Sequence, residues 1–159
     1  GTHLRTFTGH RGGINSVVFS PDSRTLLTAS EDFTVRLWDT QTGMPIKEFW
    51  GHSGPVHSAE FNVDGKLIVT ASDDRTVRIW DIESGKSFLQ YAIHGDTVKG
   101  ASFHPNKDEI LSFSTDGTIR VFAFTIPDSL DELLQIADKH IIRDLTQREI
   151  QAFLPKPNL

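Results

Sequence analysis

Three sets of residues in this chain have the types needed for hydrolytic chemistry: His10, Ser30 and Asp32; His52, Ser72 and Asp74; His94, Ser114 and Asp116. In a serine hydrolase the imidazole takes the hydroxyl proton while the carboxylate orients the ring. Two features oppose that reading. No glycine-flanked nucleophile elbow surrounds any of the serines, and a catalytic set is needed once, whereas this one recurs. The same side chains can instead hold a fold together. An aspartate in a tight turn accepts backbone N–H groups and an imidazole N–H, the histidine bonds a serine hydroxyl, and the serine accepts the indole N–H of Trp38 or Trp80. A buried network satisfied in this way fixes one arrangement, while a half-satisfied one is costly. Residues of these types recur together as His10, Ser30, Asp32 and Trp38 and as His52, Ser72, Asp74 and Trp80. In the third, Phe122 has no N–H to give, so Ser114 lacks a donor and the third unit is expected to be the loosest. As metal ligands the three histidines would lie on three separate sheets, too far apart to share an ion at about 2 Å. No catalytic residue, metal or cofactor is expected. The absence of cysteine removes disulfides, cysteine-zinc sites and a thiol nucleophile.

The elements that position these residues repeat. EDFTVRLWDTQTG (31–43), DDRTVRIWDIESG (73–85) and TDGTIRVFAFTIP (115–127) align without a slip, and Asp32, Asp74 and Asp116 step by 42 (74 − 32 = 42; 116 − 74 = 42). Phe19, Phe61 and Phe103 keep the same step. Within a unit, runs such as INSVVFS, RTLLTAS and TVRLWD are rich in β-branched and aromatic residues and are separated by turn residues, which predicts four strands per unit. Their weak alternation fits sheets covered on both faces. At 159 residues, 37% hydrophobic and 23% charged, the chain has the size and composition of one folded domain. It has no uninterrupted apolar run of about 18 residues, which argues against a membrane-spanning segment. The 16 basic residues are outnumbered by 21 acidic ones, which argues against nucleic acid as the partner.

The GH pair, the FSPD segment and S-x-D-x-T-V-R-x-W-D at this period resemble the WD-repeat family of β-propellers. The resemblance covers about residues 1–124, with units at 9–50, 51–92 and 93–124 and residues 1–8 as an outer strand. The third unit departs from the pattern at Ile93, Phe122 and Ala123. The implied fold is all-β, a partial propeller of three four-stranded antiparallel blades. The implied function is a non-enzymatic protein–protein interaction scaffold, expected in the cytoplasm, and the family's structural His-Ser-Asp-Trp set falls on the residues named above.

Propellers close with about four to eight blades. Three units leave a detached outer strand at Thr2–Thr8 and a vacant outer position after Val121. The expectation is that further blades of a longer chain complete the ring, or that a second copy does. A third possibility is that the tail covers one face. From Thr125 the pattern changes to a helical period, with Leu130, Leu133, Leu134, Ala137 and Ile141 on one stripe behind a Ser129–Glu132 capping box. Residues 125–159 are read as a short helical appendage, similar to the helical ends of large bacterial WD-repeat signalling proteins. An alternative function is thus a sensing segment of such a protein, with an NTPase or protease upstream. Partner binding is expected at the loop rim, where Arg11, Phe33, Trp50, Ser53, His57, Arg75 and Lys99 lie. Phe33 and Trp50 stand out because the other units have Arg75 and Gly117, and Thr8 and Ala92, at those positions.

Overall fold

A computed structural model describes residues 2–125 of the chain. The proposed helical tail lies outside the described residues. Eleven strands are found among the latter: β1 (Ile14–Phe19), β2 (Thr25–Ser30), β3 (Val35–Asp39), β4 (Pro45–Phe49), β5 (Val56–Phe61), β6 (Leu67–Ser72), β7 (Val77–Asp81), β8 (Ser87–Tyr91), β9 (Val98–Phe103), β10 (Glu109–Ser114) and β11 (Ile119–Ala123). They form three antiparallel sheets in simple meander order: β1-β2-β3-β4, β5-β6-β7-β8 and β9-β10-β11. The expected four strands per blade hold for two sheets. The third has three, because no strand among the described residues follows β11.

Each inner strand pairs with the next through a bulge near its first residue, between Ile14 and Ser16 in β1 and between Val56 and Ser58 in β5. Such a bulge raises local twist and re-aims the strand end. The turns that follow β1 and β5 use a residue with positive φ, Ser23 (60°) and Gly65 (71°).

The core lies between sheets. Leu27, Ala29, Val35, Leu37 and Phe49 of the first blade form one buried cluster with Val56, Ala59, Phe61, Ile68 and Trp80 of the second. Strands β2 and β6 are almost wholly buried because both of their faces are covered, which is why their sequences do not alternate. Lys47 ties the same two blades at the outer edge by donating to Ile82 O at 2.9 Å and to Glu83 O.

Residues 2–10 correct an expectation. The segment Thr2–Thr8 matches 44–50 in sequence and was expected to be a strand, yet it has no strand assignment. Its Phe7 still takes the place that Phe49 holds on the outer strand. Phe7 meets Trp38 edge-on with ring centroids 6.0 Å apart, as Phe49 meets Trp80 at 5.9 Å. Strand geometry requires a hydrogen-bonding neighbour, and Phe49 has Val35 for one. Packing alone leaves 2–8 without a strand partner among the described residues.

Candidate functional site

Each unit brings its histidine, from the loop before the inner strand, against the turn that joins its second and third strands. In the first blade His10 Nδ1 lies 2.9 Å from Asp32 Oδ2, and in the second His52 Nδ1 lies 2.8 Å from Asp74 Oδ2. The aspartate also closes its own turn, accepting Thr34 N–H at 3.1 Å and Thr34 Oγ1–H at 2.6 Å in the first blade. It fastens the loop as well, accepting Arg11 N–H at 2.8 Å there and Ser53 N–H at 3.0 Å in the second.

The hydroxyl between imidazole and indole is not the expected serine. His10 Nε2 is 2.7 Å from Thr28 Oγ1, and Trp38 Nε1 donates to the same oxygen at 2.9 Å. The second blade repeats this with Thr70 at 2.7 and 2.9 Å. In the third, Ser112 bonds His94 Nε2 at 2.8 Å. The set is thus His10-Thr28-Asp32-Trp38, with Ser30 displaced from it, and likewise for Ser72 and Ser114. Side chains two apart on a strand share a face, so Thr28 reaches the ring while Ser30, at the strand's end, serves the turn. Ser30 Oγ accepts Asp32 N–H at 3.1 Å, as Ser72 does from Asp74 and Ser114 from Asp116. Ser72 and Ser114 also donate to loop carbonyls, Gly54 O and Asp96 O. The signal for Thr28 was present in the sequence: Thr28, Thr70 and Ser112 recur at the same step of 42.

The bonding fixes the proton order. An indole N–H can only donate, so the threonine oxygen accepts from it and its O–H turns to His Nε2, leaving Nδ1–H for the aspartate. Burial pushes the Asp32 and Asp74 carboxyls up, but the hydrogen bonds from their threonine, histidine and loop N–H groups win and hold both far below the usual carboxylate range. Asp116 is held down chiefly by its bond from Thr118. Burial pulls the His52 ring below its ordinary value, so the neutral form is favoured. A hydroxyl, imidazole and carboxylate in line have the connectivity of a nucleophilic triad. Here Thr28, Thr70 and Ser112 are buried, and in the first two the oxygen already accepts an indole N–H. No attacking lone pair faces solvent. Among the described residues no group of histidines and carboxylates could hold a metal ion.

The rim candidates fall into two groups. Arg11, Phe33, Trp50, Ser53 and Arg75 lie on the loops and turns of the first two blades. Phe33 is 44% exposed and Trp50 65%, while Trp38 and Trp80 are 1% and 2%. Phe33 and Arg75 have φ of 72° and 68°, in the left-handed region, and their third-blade counterpart is Gly117 at 80°. A side chain in that region costs about 1–2 kcal/mol relative to the right-handed form, and Gly117 shows that the turn itself needs none. The second group stands at the inner strands. His57 Nε2 lies 2.7 Å from Asp73 Oδ1, and Lys99 Nζ of the next blade lies 3.0 Å from the same nitrogen and 3.7 Å from the carboxylate. Burial raises Asp73, but its bonds from His57 and Thr97 and the Lys99 charge leave it lowered.

Comparison with known proteins agrees with this geometry. Residues 1–39, 43–81 and 85–122 match the profile of the WD domain, G-beta repeat. Human WD repeat-containing protein 86 is 56% identical over 43 residues, 27% of this chain and 11% of that protein. A guanine nucleotide-binding protein subunit beta of Oryza sativa subsp. indica is 52% identical over 40 residues, 25% of this chain and 10% of that one. The solved structure of U3-55K superposes with a TM-score of 0.71 at 24% identity, over 75% of this chain and 38% of its own. The matched segments thus span about a tenth of the curated relatives and under half of the solved structure.

Proposed function

The chain belongs to the WD40 family of G-beta repeats, and from that premise we propose that it is a non-enzymatic protein-interaction scaffold whose three blades are part of a larger ring. One observation carries the ring: the same apolar positions are sealed inside and open at the ends. Val69, Ala71, Val77 and Ile79 of the second blade are 0% exposed, whereas their counterparts Leu111, Phe113, Ile119 and Val121 are 43%, 49%, 72% and 62% exposed. At the other end Val17 and Phe19 are open while Ala59 and Phe61 are buried. Contiguous apolar surface of this kind marks an interface, and the outer edge of β11, which pairs with no strand among the described residues, is a ready site for another strand. The His-Asp networks support the non-enzymatic part, since every functional atom in them is spent on a loop, a turn or a ring neighbour.

Sedimentation velocity on the chain tests this. Self-association or loss of soluble folded protein is expected, and Phe19→Glu with Val121→Glu should yield a dispersed monomer. A well-folded wild-type monomer that binds no hydrophobic dye would overturn the ring.

A further inference from the structure

Further blades would cover sheet faces and leave the loop rim open, so the exposed side chains there need their own account. Val35 and Phe49 are partners at the end of the β3–β4 ladder. Phe33, two residues before the one, and Trp50, one residue after the other, therefore leave the ladder at the same corner of the first blade. Two hydrogen bonds bring arginines to this corner. Arg11 N–H donates to Asp32 at 2.8 Å, which sets Arg11 beside the turn carrying Phe33. Ser53 N–H donates to Asp74 at 3.0 Å, which sets the loop that begins at Trp50 against the turn carrying Arg75. Register and loop bonds thus place Arg11, Phe33, Trp50 and Arg75 on neighbouring loops and turns at one end of the first two blades.

Charge decides what it fits. The Asp32 and Asp74 carboxylates point inward to histidine and backbone donors. Arg11 and Arg75 are exposed and take part in none of the ion pairs found among the described residues. Glu31 is exposed and lies over Gly12 and Gly13, and the part-exposed Asp73 carboxylate, two residues before Arg75, is held by His57 and Lys99. Two aromatic faces flanked by two unpaired guanidinium groups are complementary to a large apolar side chain with carboxylates on either side.

We propose that the Arg11–Phe33–Trp50–Arg75 set is a docking site for an acidic peptide segment bearing a large apolar residue. This rests on the scaffold reading for the partner's being a protein, and not on ring closure.

Trp50 supplies the probe, because the other two indoles are buried. Iodide should quench the exposed indole at least twofold better than caesium does, relative to a free tryptophan amide, and Arg11→Gln with Arg75→Gln should abolish the difference. A labelled twelve-residue peptide of aspartates around a central Leu-Phe pair should bind saturably, at least tenfold tighter than its lysine analogue, and weaken with salt. Phe33→Gly relieves the left-handed backbone, so it should leave thermal stability equal or higher while cutting affinity at least fivefold. Equal quenching by the two ions, or preference for the lysine peptide, would overturn the acidic assignment. Failure of both peptides to bind, or unchanged affinity in Phe33→Gly and Trp50→Ala, would overturn the site. Both leave the sedimentation result untouched.

Discussion

The second and third blades are written on the same plan and differ in how much of it they complete. In the second, His52 lies 2.8 Å from Asp74, and Thr70 joins its imidazole to the Trp80 indole. In the third, His94 lies 3.2 Å from Asp116, Ser112 stands for the threonine, and Phe122 gives no N–H. The His-Asp bond survives the loss of the indole, so it is made by the local turn and loop. The indole adds the link from that turn to the sheet behind it. The glycine of the GH pair follows the same logic. A Cβ at Gly51 would come within 2.9 Å of Arg78 Nη1 and 3.2 Å of Trp80 Cη2. Where phenylalanine replaces the tryptophan, Ile93 is accommodated instead of glycine. Exchange also runs across the third sheet: Phe113 covers Gly100, its register partner, where the second blade pairs Ala71 with Ser58.

Removing the central hydroxyl from each blade should separate them most widely. Thr70→Val strands a buried imidazole nitrogen and a buried indole N–H, and unmade buried partners cost about 1–3 kcal/mol each. A loss of about 2–4 kcal/mol is expected in urea unfolding. Ser112→Ala strands only the His94 nitrogen and should cost roughly half as much. Equal losses would mean that the indole contributes nothing and that the two networks are equivalent.

Acid should act on the second blade next. Burial disfavours the charged His52 ring, so its folded pKa lies below the unfolded value near 6.5. The stability it contributes is complete above about pH 6.5 and is lost as pH falls toward the folded value, at no more than about 1.4 kcal/mol per pH unit. Asp32, Asp74 and Asp116 are depressed. Their contribution persists down to about pH 4 and is lost only below that. Unfolding measured between pH 7.5 and 5 should therefore show a decline that His52→Asn reduces. An unchanged decline in that variant would place the acid sensitivity elsewhere.

Much of this was legible in the sequence because a repeat reports its own structure. The step of 42 locates the sheets, and Phe122 for tryptophan announces the defect in the third blade. The identity of the bridging hydroxyl was misplaced for a local reason. Thr28 and Ser30 share a strand face, and the spacing to His10 cannot tell which one lies under the ring and which one closes the turn. Residues 2–8 match the outer strand at 44–50 in sequence but carry no strand, because a match reports side chains while a strand also needs a partner backbone. The rim set was only half visible. Phe33 and Trp50 stood out as unneeded aromatics, but their common corner follows from the β3–β4 register and the two loop-to-aspartate bonds, which are three-dimensional facts.

The smallest expected effect is the most discriminating, because it tries to erase the difference between the blades. Phe122→Trp with Ser112→Thr restores the indole donor and the hydroxyl found in the second blade. One added buried hydrogen bond contributes about 0.5–1.5 kcal/mol, part of which is offset because Ile93 occupies the place of Gly51 and crowds the larger ring. Adding Ile93→Gly should release that offset. In the native chain, amides of β10 and β11 should exchange faster than those of β6 and β7, since the third sheet has an open face and, among the described residues, no strand beyond β11. The triple variant should slow β10 and β11 by up to about tenfold and leave β6 and β7 alone. If exchange in the third blade does not respond, its looseness comes from the uncovered face, and the network is a consequence of the fold's order more than a source of it.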